Sequence, residues 1–432
     1  MNYGVKAEEN GLAAIFQNRN FALLWISQVF GQSAQNAILF VLMVMVEGLT
    51  RSSALVGLMV LVHNLPSILF TLPLGVVVDR FRKKSILLFC NVVRVFVVLS
   101  FVFFNHYSRG GWLLTAVYIL TFTLSTIGHL SDPAESAMVP LIVSAKQLLT
   151  ANSVFHLLFN VAQVVGLLFL APLGIRLGGV DGAFGAIAFC YMATAAMIWP
   201  ISVTEEAPKH RPAGDALRRF AEELQAGWRF ILSRRSVLTA IGQHALITML
   251  TMIIAVLAPG FSARVLGMKP TDAVYIFFAA GLGMFLTTLW TGQSGHHFRR
   301  EWLAAFGLLM IALAMLGFAI IAWHSEVNTA VGAAPSQTVI VNVELMAFLL
   351  GVGGTLASVA TQTIVQERAP RDLRGRVIAA EFLFGNVVGL VPMLIISGLA
   401  DLVGIPSVLL GMSLVVLSGA LLSFRAHRGR MS

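Results

Sequence analysis

The chain has 432 residues, of which 57% are hydrophobic and only 11% are charged. A soluble protein has about a quarter of its residues charged, so this composition excludes a water-exposed surface over most of the chain and predicts an integral membrane protein. The net charge of +9 suggests a nucleic-acid partner only if the positions of the charges are ignored.

The chain starts with a polar segment of mixed charge, and we expect the apolar run that follows it to be retained as a membrane helix rather than cleaved. A helix needs about 20 apolar residues to cross a bilayer. Twelve segments meet that length and predict an all-α membrane protein with twelve transmembrane helices. Their expected bounds are 21–47, 54–78, 85–104, 112–131, 150–176, 183–201, 237–262, 272–294, 302–323, 338–365, 376–402 and 405–424.

The longest polar connection divides these segments into six and six. Apolar residues recur at helical spacing from Leu217 to Ile231, which predicts an amphipathic helix on the inner leaflet, with a plain linker helix as the alternative. The predicted domains are a cytoplasmic segment over 1–20, an N-terminal six-helix bundle over 21–201, a cytoplasmic linker over 202–236, a C-terminal six-helix bundle over 237–424 and a basic tail over 425–432.

Most of the 29 Lys and Arg fall in the even-numbered connections and the termini. This is the positive-inside pattern, and it predicts a multi-pass protein of the cytoplasmic membrane with both termini in the cytoplasm. It explains the basic charge without any nucleic acid. The cations expected outside are Arg51, Arg109, Arg176, Arg264 and Lys269.

Ionisable residues inside apolar segments are costly unless paired or wetted, so each is a candidate functional group. Arg94 lies near the middle of the third segment, where it binds an anionic group in a cavity or forms a buried structural pair. Glu381 lies near the start of the eleventh, where it carries a coupling proton or pairs with neighbouring arginines. Glu47 and Glu344 lie near the outer ends of their segments and are interpreted as interfacial, with Glu344 the better gate candidate.

Uncharged polar residues form a stripe in the first segment. Gln28, Gln32 and Gln35 follow i, i+4, i+7 spacing and therefore share one helix face. Such a stripe faces either a cavity or a neighbouring helix. His156 and Asn160 share a face of the fifth segment in the same way. The two cysteines lie in apolar segments, and no metal-ligand spacing occurs, so we predict no disulfide, metal or cofactor.

The segment Gly75–Lys84 is a charged connection between the second and third apolar segments. A degraded copy at Gly292–Glu301 repeats its glycine, aromatic and basic positions in the same order. Two copies of one junction, half a chain apart, are typical of transporters built from two related halves. The first copy resembles the signature loop of the major facilitator superfamily. The matching residues are Gly75, Asp79, Arg80, Arg82 and Lys83.

The resemblance implies that this loop latches the two halves together on the inner side. Asp79 would face the start of the eleventh helix near Gly375 and Arg376. Similarity to drug and siderophore exporters, the macrolide-efflux-like and enterobactin-exporter-like branch, extends to Asn18–Trp25, Asp132–Pro140 and Gly375–Val377.

Two features depart from that branch or point elsewhere. The fourth segment contains no arginine, although proton-coupled exporters of the superfamily often carry one there. The stretch Gln35–Phe40 resembles bacterial lysophospholipid transporters, which have an acidic residue where this chain has Gln35. Since the first, fourth, seventh and tenth helices line the pathway in this fold, the resemblance implies cavity candidates at Gln32, Gln35, Asn36, Gln243, His244 and Glu344, with His156 and Asn160 as secondary candidates. Arg94, in the third segment, is a further cavity candidate because it is ionisable and lies near mid-depth.

These observations predict a transporter that works by alternating access and exports small hydrophobic or amphiphilic compounds, with protons as the driver implied by the resemblance. A lipid translocator without firm proton coupling is one alternative, and a receptor or scaffold on the same fold is another. The partners expected are a small-molecule or lipid-like substrate, protons and the bilayer, and the protein is expected to be a monomer. No phosphate-binding loop occurs, and we predict no enzymatic activity.

Overall fold

Helices account for most of the chain that a computed structural model describes, which is residues 15–108, 111–144, 147–203, 225, 227–294, 297–329, 335–370 and 373–428. Some side chains inside these ranges are not described. The helices are α1 (Arg19–Thr50), α2 (Ser53–Arg80), α3 (Lys83–Tyr107), α4 (Gly111–Ile142), α5 (Leu148–Val164), α6 (Ala171–Ile198), α7 (Arg235–Gly260), α8 (Ala273–Ser294), α9 (Arg300–Thr329), α10 (Gln337–Arg368), α11 (Arg374–Val403) and α12 (Ile405–Arg428).

Nine stretches of the described residues are long and apolar enough to cross a membrane, and shorter apolar stretches lie within α11 (Gly389–Val403) and α12 (Ile405–Leu421). One of the nine, Val161–Ile198, contains parts of two predicted spans because the chain breaks within α6. The predicted all-α integral membrane fold is confirmed, and no strand occurs among the described residues.

The chain forms two compact units. The first comprises residues 1–45 and 62–217, and the second comprises residues 46–61 and 218–432. The end of α1 and the start of α2 therefore belong to the second unit. The reason is local. The Ser52 hydroxyl and the amides of Ser53 and Ala54 donate to Asp401 of α11, and Glu47 pairs with Arg264 after α7.

In the first unit α3 packs against both α4 and α6. A buried apolar cluster at one end joins α1, α3 and α4, and includes Phe21, Leu87 and Met138. This packing fixes the rotation of α3 and so determines where its single internal cation, Arg94, points.

The joint between α5 and α6 is a π-helical turn, Val165–Leu170. Gly166 sits at the turn, where a Cβ would lie only 2.3 Å from the carbonyl oxygen of Ser33. Because glycine has no Cβ, the backbones of the turn and of α1 can approach closely at this point. The turn thereby positions the polar stripe of α1.

The chain reverses within α6 at Gly178 and Gly179. Gly178 has φ −155°, which other residues adopt, whereas Gly179 has φ 66° and ψ −156°, a combination restricted almost to glycine. Neither glycine has another atom within 4 Å of a Cβ position, so the two differ in their tolerance of a side chain only through backbone conformation.

Gly179→Ala should therefore destabilise the protein, by about 1–3 kcal/mol, because alanine cannot adopt this conformation without strain. Thermal unfolding of the purified protein measures the change. Gly178→Ala is the matched control and should leave the unfolding temperature nearly unchanged. Equal decreases in unfolding temperature in the two variants would show that steric crowding, and not backbone conformation, determines the effect of a substitution at this turn.

In the second unit α10 packs against both α8 and α9. The helices touch through glycines: a Cβ at Gly351 would lie 2.0 Å from the carbonyl oxygen of Ala280, and one at Gly307 would lie 2.6 Å from that of Gly353. Small residues at helix contacts are the usual device for packing helices closely in lipid.

Most of the predicted linker, 204–224 and residue 226, lies outside the described residues. Residues 227–233 are helical. Ile231 is fully buried in a cluster with Val237 and Ile364, and the Trp228 ring packs edge-on against Phe384 at 5.2 Å. Trp228 and Ile231 of this helix therefore pack on the second unit.

Candidate functional site

A buried arginine is the centre of the polar site in the first unit. Arg94 in α3 is only 4% exposed. Its Nη2 donates to the Ser131 hydroxyl at 3.0 Å and to Gln35 Oε1 at 3.3 Å, and the guanidinium lies 5.2 Å from the centre of the Tyr191 ring. A guanidinium facing an aromatic ring makes a favourable cation–π contact. Arg94 thus connects α1, α3, α4 and α6.

The cation also lies against the backbone of α4. A Cβ at Gly128 would be 3.2 Å from Arg94 Nη2. Glycine at this position leaves room for the guanidinium. The Nε atom of Arg94 is buried and has no hydrogen-bond partner among the described residues, so one donor of the arginine remains available for another acceptor.

Carboxylates from α4 complete the site. The predicted fourth span ended at residue 131, but α4 continues to Ile142 and contains Asp132, Pro133 and Glu135. Both carboxylates interact electrostatically with Arg94, Glu135 is hydrogen-bonded to Gln28, and His129 interacts with Asp132. We call Arg94, His129, Asp132 and Glu135 the Arg94 cluster.

Charge balance in the Arg94 cluster decides what it can do. Two carboxylates share one guanidinium, and the site is at least half-buried throughout. In a medium of low dielectric constant an excess negative charge is costly, so one carboxyl group is a natural acceptor for a proton. The same guanidinium can alternatively bind an anionic group of a substrate.

The polar stripe of α1 divides between these roles. Gln28 is buried and hydrogen-bonded to Glu135, and the half-buried Gln35 accepts a hydrogen bond from Arg94. Asn36 donates to the backbone carbonyl of Gln32 at 2.8 Å, which uses its amide group within α1 itself. Two of the stripe residues therefore bind the charged cluster and serve as interhelical partners.

In the second unit the predicted residue His244 in α7 contacts α10. Its Nδ1 lies 3.4 Å from the Thr361 hydroxyl, and its Nε2 lies 3.5 Å from Gln362 Nε2. The Thr361 hydroxyl already donates to the Ala357 carbonyl, so it is available to accept from Nδ1–H. Gln362 can then donate to Nε2, which describes a neutral histidine with long contacts on both sides.

The other predicted residues of this unit are Glu381, Gln243 and Glu344. Glu381 in α11 is 7% exposed, and its Oε1 has no hydrogen-bond partner in the described part of the chain. Gln243 and Glu344 are half-buried. No group of three or more His, Cys, Asp or Glu that could hold a metal ion occurs among the described residues.

Glu47 was interpreted as interfacial, and this is wrong. Its side chain is 0% exposed and lies 3.0 Å from Arg264 Nε. Hydropathy cannot separate an acidic residue at a helix end that faces water from one that is covered by another helix.

An apolar groove of about 600 Å³ lies between α8, α9 and α10. Its walls are almost entirely hydrocarbon and aromatic rings, so it suits an alkyl chain or a greasy ring system. The lining residues are Leu286, Thr287, Trp290, Phe298, Trp302, Leu303, Phe306, Met310, Phe348, Val352 and Leu356.

The sequence profile of the Major Facilitator Superfamily matches residues 24–393, most of the chain. The chain belongs to the major facilitator superfamily. It is therefore a multi-pass membrane protein of a transporter family, and such proteins act on small-molecule substrates.

Relatives within the superfamily differ in how much of the chain they match. The chain is 30% identical over 141 residues to the MFS-type transporter YjbB of Bacillus subtilis (strain 168), which is 32% of this chain and 34% of YjbB. The chain thus spans about a third of that relative. Over 88% of both chains it is 25% identical to the enterobactin exporter EntS of Citrobacter koseri. The predicted resemblance to the superfamily and to its enterobactin-exporter-like branch is confirmed.

Solved superfamily structures share the fold. The nucleoside transporter NupG matches with a TM-score of 0.71 and 10% identity, covering 94% of this chain and all of that one. A bacterial homologue of the human lysosomal transporter Spinster, inward-facing and unoccupied, matches with a TM-score of 0.69 and 14% identity over 98% of each chain. At these identities the likeness shows the fold alone.

The superfamily's signature loop lies between α2 and α3, where Arg80 and Arg82 are exposed and Lys83 begins α3. Lys83 Nζ donates to the carbonyl of Phe81 at 3.4 Å. The predicted functional residues whose side chains or surroundings lie outside the described part of the structure are Gly75, Asp79, His156, Asn160, Gly375 and Arg376.

Proposed function

We propose that the protein is a secondary active exporter of small hydrophobic or amphiphilic compounds, such as drugs, siderophores or metabolites. It works by alternating access as a monomer in the cytoplasmic membrane, with both termini in the cytoplasm, and protons drive it. Membership of the superfamily supports transport, the similarity to an enterobactin exporter supports export, and the distribution of Lys and Arg supports the orientation.

The observation that carries the proposal is the Arg94 cluster. A buried arginine shared by two carboxylates in a membrane helix bundle is expensive to maintain unless its charge state changes during function. The cluster supplies that change: with one carboxyl group protonated it is neutral, and loss of the proton leaves an excess negative charge.

Each residue of the cluster then has a role. Asp132 and Glu135 exchange the proton, and Arg94 holds whichever carboxylate is ionised. Gln28 and Gln35 tie α1 to the cluster, so a change of charge there pulls directly on α1. The cavity candidates of the second unit, Gln243, His244 and Glu344, face the cargo, and Glu381 is a second candidate for the coupling proton.

We also propose that the signature loop, Gly75 to Lys83, acts as the latch between the two halves, with Gly375 and Arg376 as its partners. Its support is the sequence match together with the short connection that the structure places between α2 and α3.

Neutral variants of the carboxylates test the coupling. Proteoliposomes that contain a trapped pH-sensitive dye are challenged with ethidium or with iron-free enterobactin, and proton release is recorded beside cargo movement. Asp132→Asn combined with Glu135→Gln should reduce cargo-dependent proton movement by about 100-fold, because neither carboxyl group of the cluster can then exchange the proton.

Asp181→Asn is the matched control, since Asp181 is a first-unit carboxylate bonded to Asn105 and distant in sequence from the cluster. It should transport normally. Full proton coupling in the double variant would show that the cluster is structural. Absence of movement of any cargo in the wild-type protein would favour the receptor or scaffold alternative.

The apolar groove favours a second candidate function, translocation of a lysophospholipid or related lipid. Its volume and hydrocarbon walls fit one acyl chain. A fluorescent lysophosphatidylethanolamine with dithionite quenching measures this directly. Lipid movement that is independent of a pH gradient would favour the second candidate over the first.

A further inference from the structure

Arg264 joins four chain segments at one end of the second unit. It lies in a π-helical turn, Phe261–Val265, directly after α7. Its Nε is 3.0 Å from Glu47 Oε1 at the end of α1, and its Nη1 is 2.8 Å from Asp401 Oδ1 near the end of α11. Its Nη2 donates to the Ser53 hydroxyl at the start of α2. All of these residues belong to the second unit.

Asp401 is well supplied with donors. Besides Arg264, it accepts hydrogen bonds from the Ser52 hydroxyl at 2.6 Å, the Ser53 amide at 2.8 Å and the Ala54 amide at 2.9 Å. It therefore caps α2, because the first amides of a helix have no partner within the helix. Its charge is stabilised independently of Glu47.

Glu47 is in the opposite situation. Its side chain is 0% exposed, and neither carboxylate oxygen receives a well-directed hydrogen bond from the described residues. The charged groups that act on it are Arg264, Asp401 and Arg51. Arg264 is shared with Asp401, so the buried Glu47 carboxylate holds only part of one guanidinium.

The short connection between α1 and α2, next to Glu47, is strained. Arg51 has φ 51° and is the one non-glycine residue in the described part of the chain with a positive φ. Such a conformation costs about 1–3 kcal/mol and persists only where neighbouring contacts hold it. Glu47, Ser52 and Ser53 flank Arg51, and their contacts hold it in this conformation.

We propose that Glu47 is a proton-binding site that controls opening of this end of the molecule. When Glu47 is ionised, its pair with Arg264 ties the end of α1 to the turn after α7. When a proton adds to a Glu47 oxygen, the group becomes neutral, Arg264 stays with Asp401, and the end of α1 is released. The relaxation of Arg51 favours the same direction.

The proton reaches Glu47 past its partners, because the side chains of Arg264 and Asp401 are 24% and 22% exposed. The positive-inside pattern predicts that this end faces outside, so the external pH would set the state of the site. The inference rests on the proposed function, since alternating access gives the opening its purpose, but it concerns a different site from the Arg94 cluster.

Hydrogen exchange of the full-length protein in nanodiscs tests the site without any cargo or gradient. After correction for intrinsic rates, amides of residues 46–54 and 261–265 in the wild-type protein should exchange about tenfold faster at about pH 5 than at about pH 8. Glu47→Gln, which mimics the protonated group, should show the fast rate at both values.

Glu301→Gln is the matched control. Glu301, at the start of α9, pairs with Arg368 and not with Arg264. It should retain the wild-type dependence on pH. Wild-type exchange that is equally slow at both pH values, or an unchanged pH dependence in Glu47→Gln, would overturn the proposal. If hydrogen exchange depends on pH but cargo moves without protons, the proposed proton coupling at the Arg94 cluster is refuted, whereas the proton-binding role of Glu47 is supported.

Discussion

Replacing Arg94 by alanine should reduce export about 100-fold or more while the protein still inserts into the membrane. The variant leaves Asp132 and Glu135 without the cation that interacts electrostatically with both. Removing the compensating charge from a buried charged group costs about 3–5 kcal/mol. Each factor of ten in a rate or equilibrium corresponds to about 1.4 kcal/mol. Efflux from proteoliposomes at equal protein density measures the loss.

Arg94→Lys separates charge from geometry. Lysine keeps the positive charge but cannot reproduce the planar contacts with Ser131, Gln35 and the Tyr191 ring. Its export rate should therefore fall about tenfold, between the wild-type and alanine variants. Arg176→Ala, which removes an exposed arginine of α6, should have no effect. Wild-type export by Arg94→Ala would exclude the cluster from the transport cycle.

Apolar length and the repeated charged junction were sufficient to predict the fold. The requirement for about 20 apolar residues in each span follows from bilayer thickness and applies to any sequence. The repeat of Gly75–Lys84 at Gly292–Glu301 then indicated two halves. Both signals are local or periodic, so they can be read from the sequence without knowing which helices are in contact.

The charged site was only half predicted for the same reason. Arg94 was recognised because a cation inside an apolar segment is visible in the sequence. Asp132 and Glu135 were assigned to a motif after the fourth span, since an acidic residue and Pro133 normally end an apolar window. The helix continues because the carboxylates face a buried cation. Hydropathy averages over all faces of a helix, so it does not show which face the carboxylates occupy.

Helix contacts through glycine were beyond prediction. A chain with 38 glycines contains many that are free of neighbours, and only the packing separates them. On α10, Gly351 touches the backbone of α8, whereas Gly354 has nothing within 4 Å of a Cβ position. The two residues lie three positions apart in one helix, and nothing in the sequence shows which of them contacts a neighbouring backbone.

Gly351→Ala should therefore be among the most damaging single methyl groups that can be added to this chain. The Cβ would lie 2.0 Å from the Ala280 carbonyl oxygen and 2.8 Å from its carbon, which are backbone atoms that no rotamer change can move. Overpacking of a tight contact costs about 1–3 kcal/mol or more, and relief here requires α8 and α10 to separate. The yield of monodisperse protein after heating, read by size-exclusion chromatography, measures the loss.

Gly354→Ala provides the comparison within the same helix. It adds the same methyl group and the same gain in helix propensity, about 1 kcal/mol, without a clash, so it should be neutral or stabilising. Because both variants gain propensity equally, the difference between them reports the contact between α8 and α10 alone. Equal stability of Gly351→Ala and Gly354→Ala would mean that the two helices are not packed backbone to backbone in the folded protein, and the groove between α8, α9 and α10 would then have a different shape.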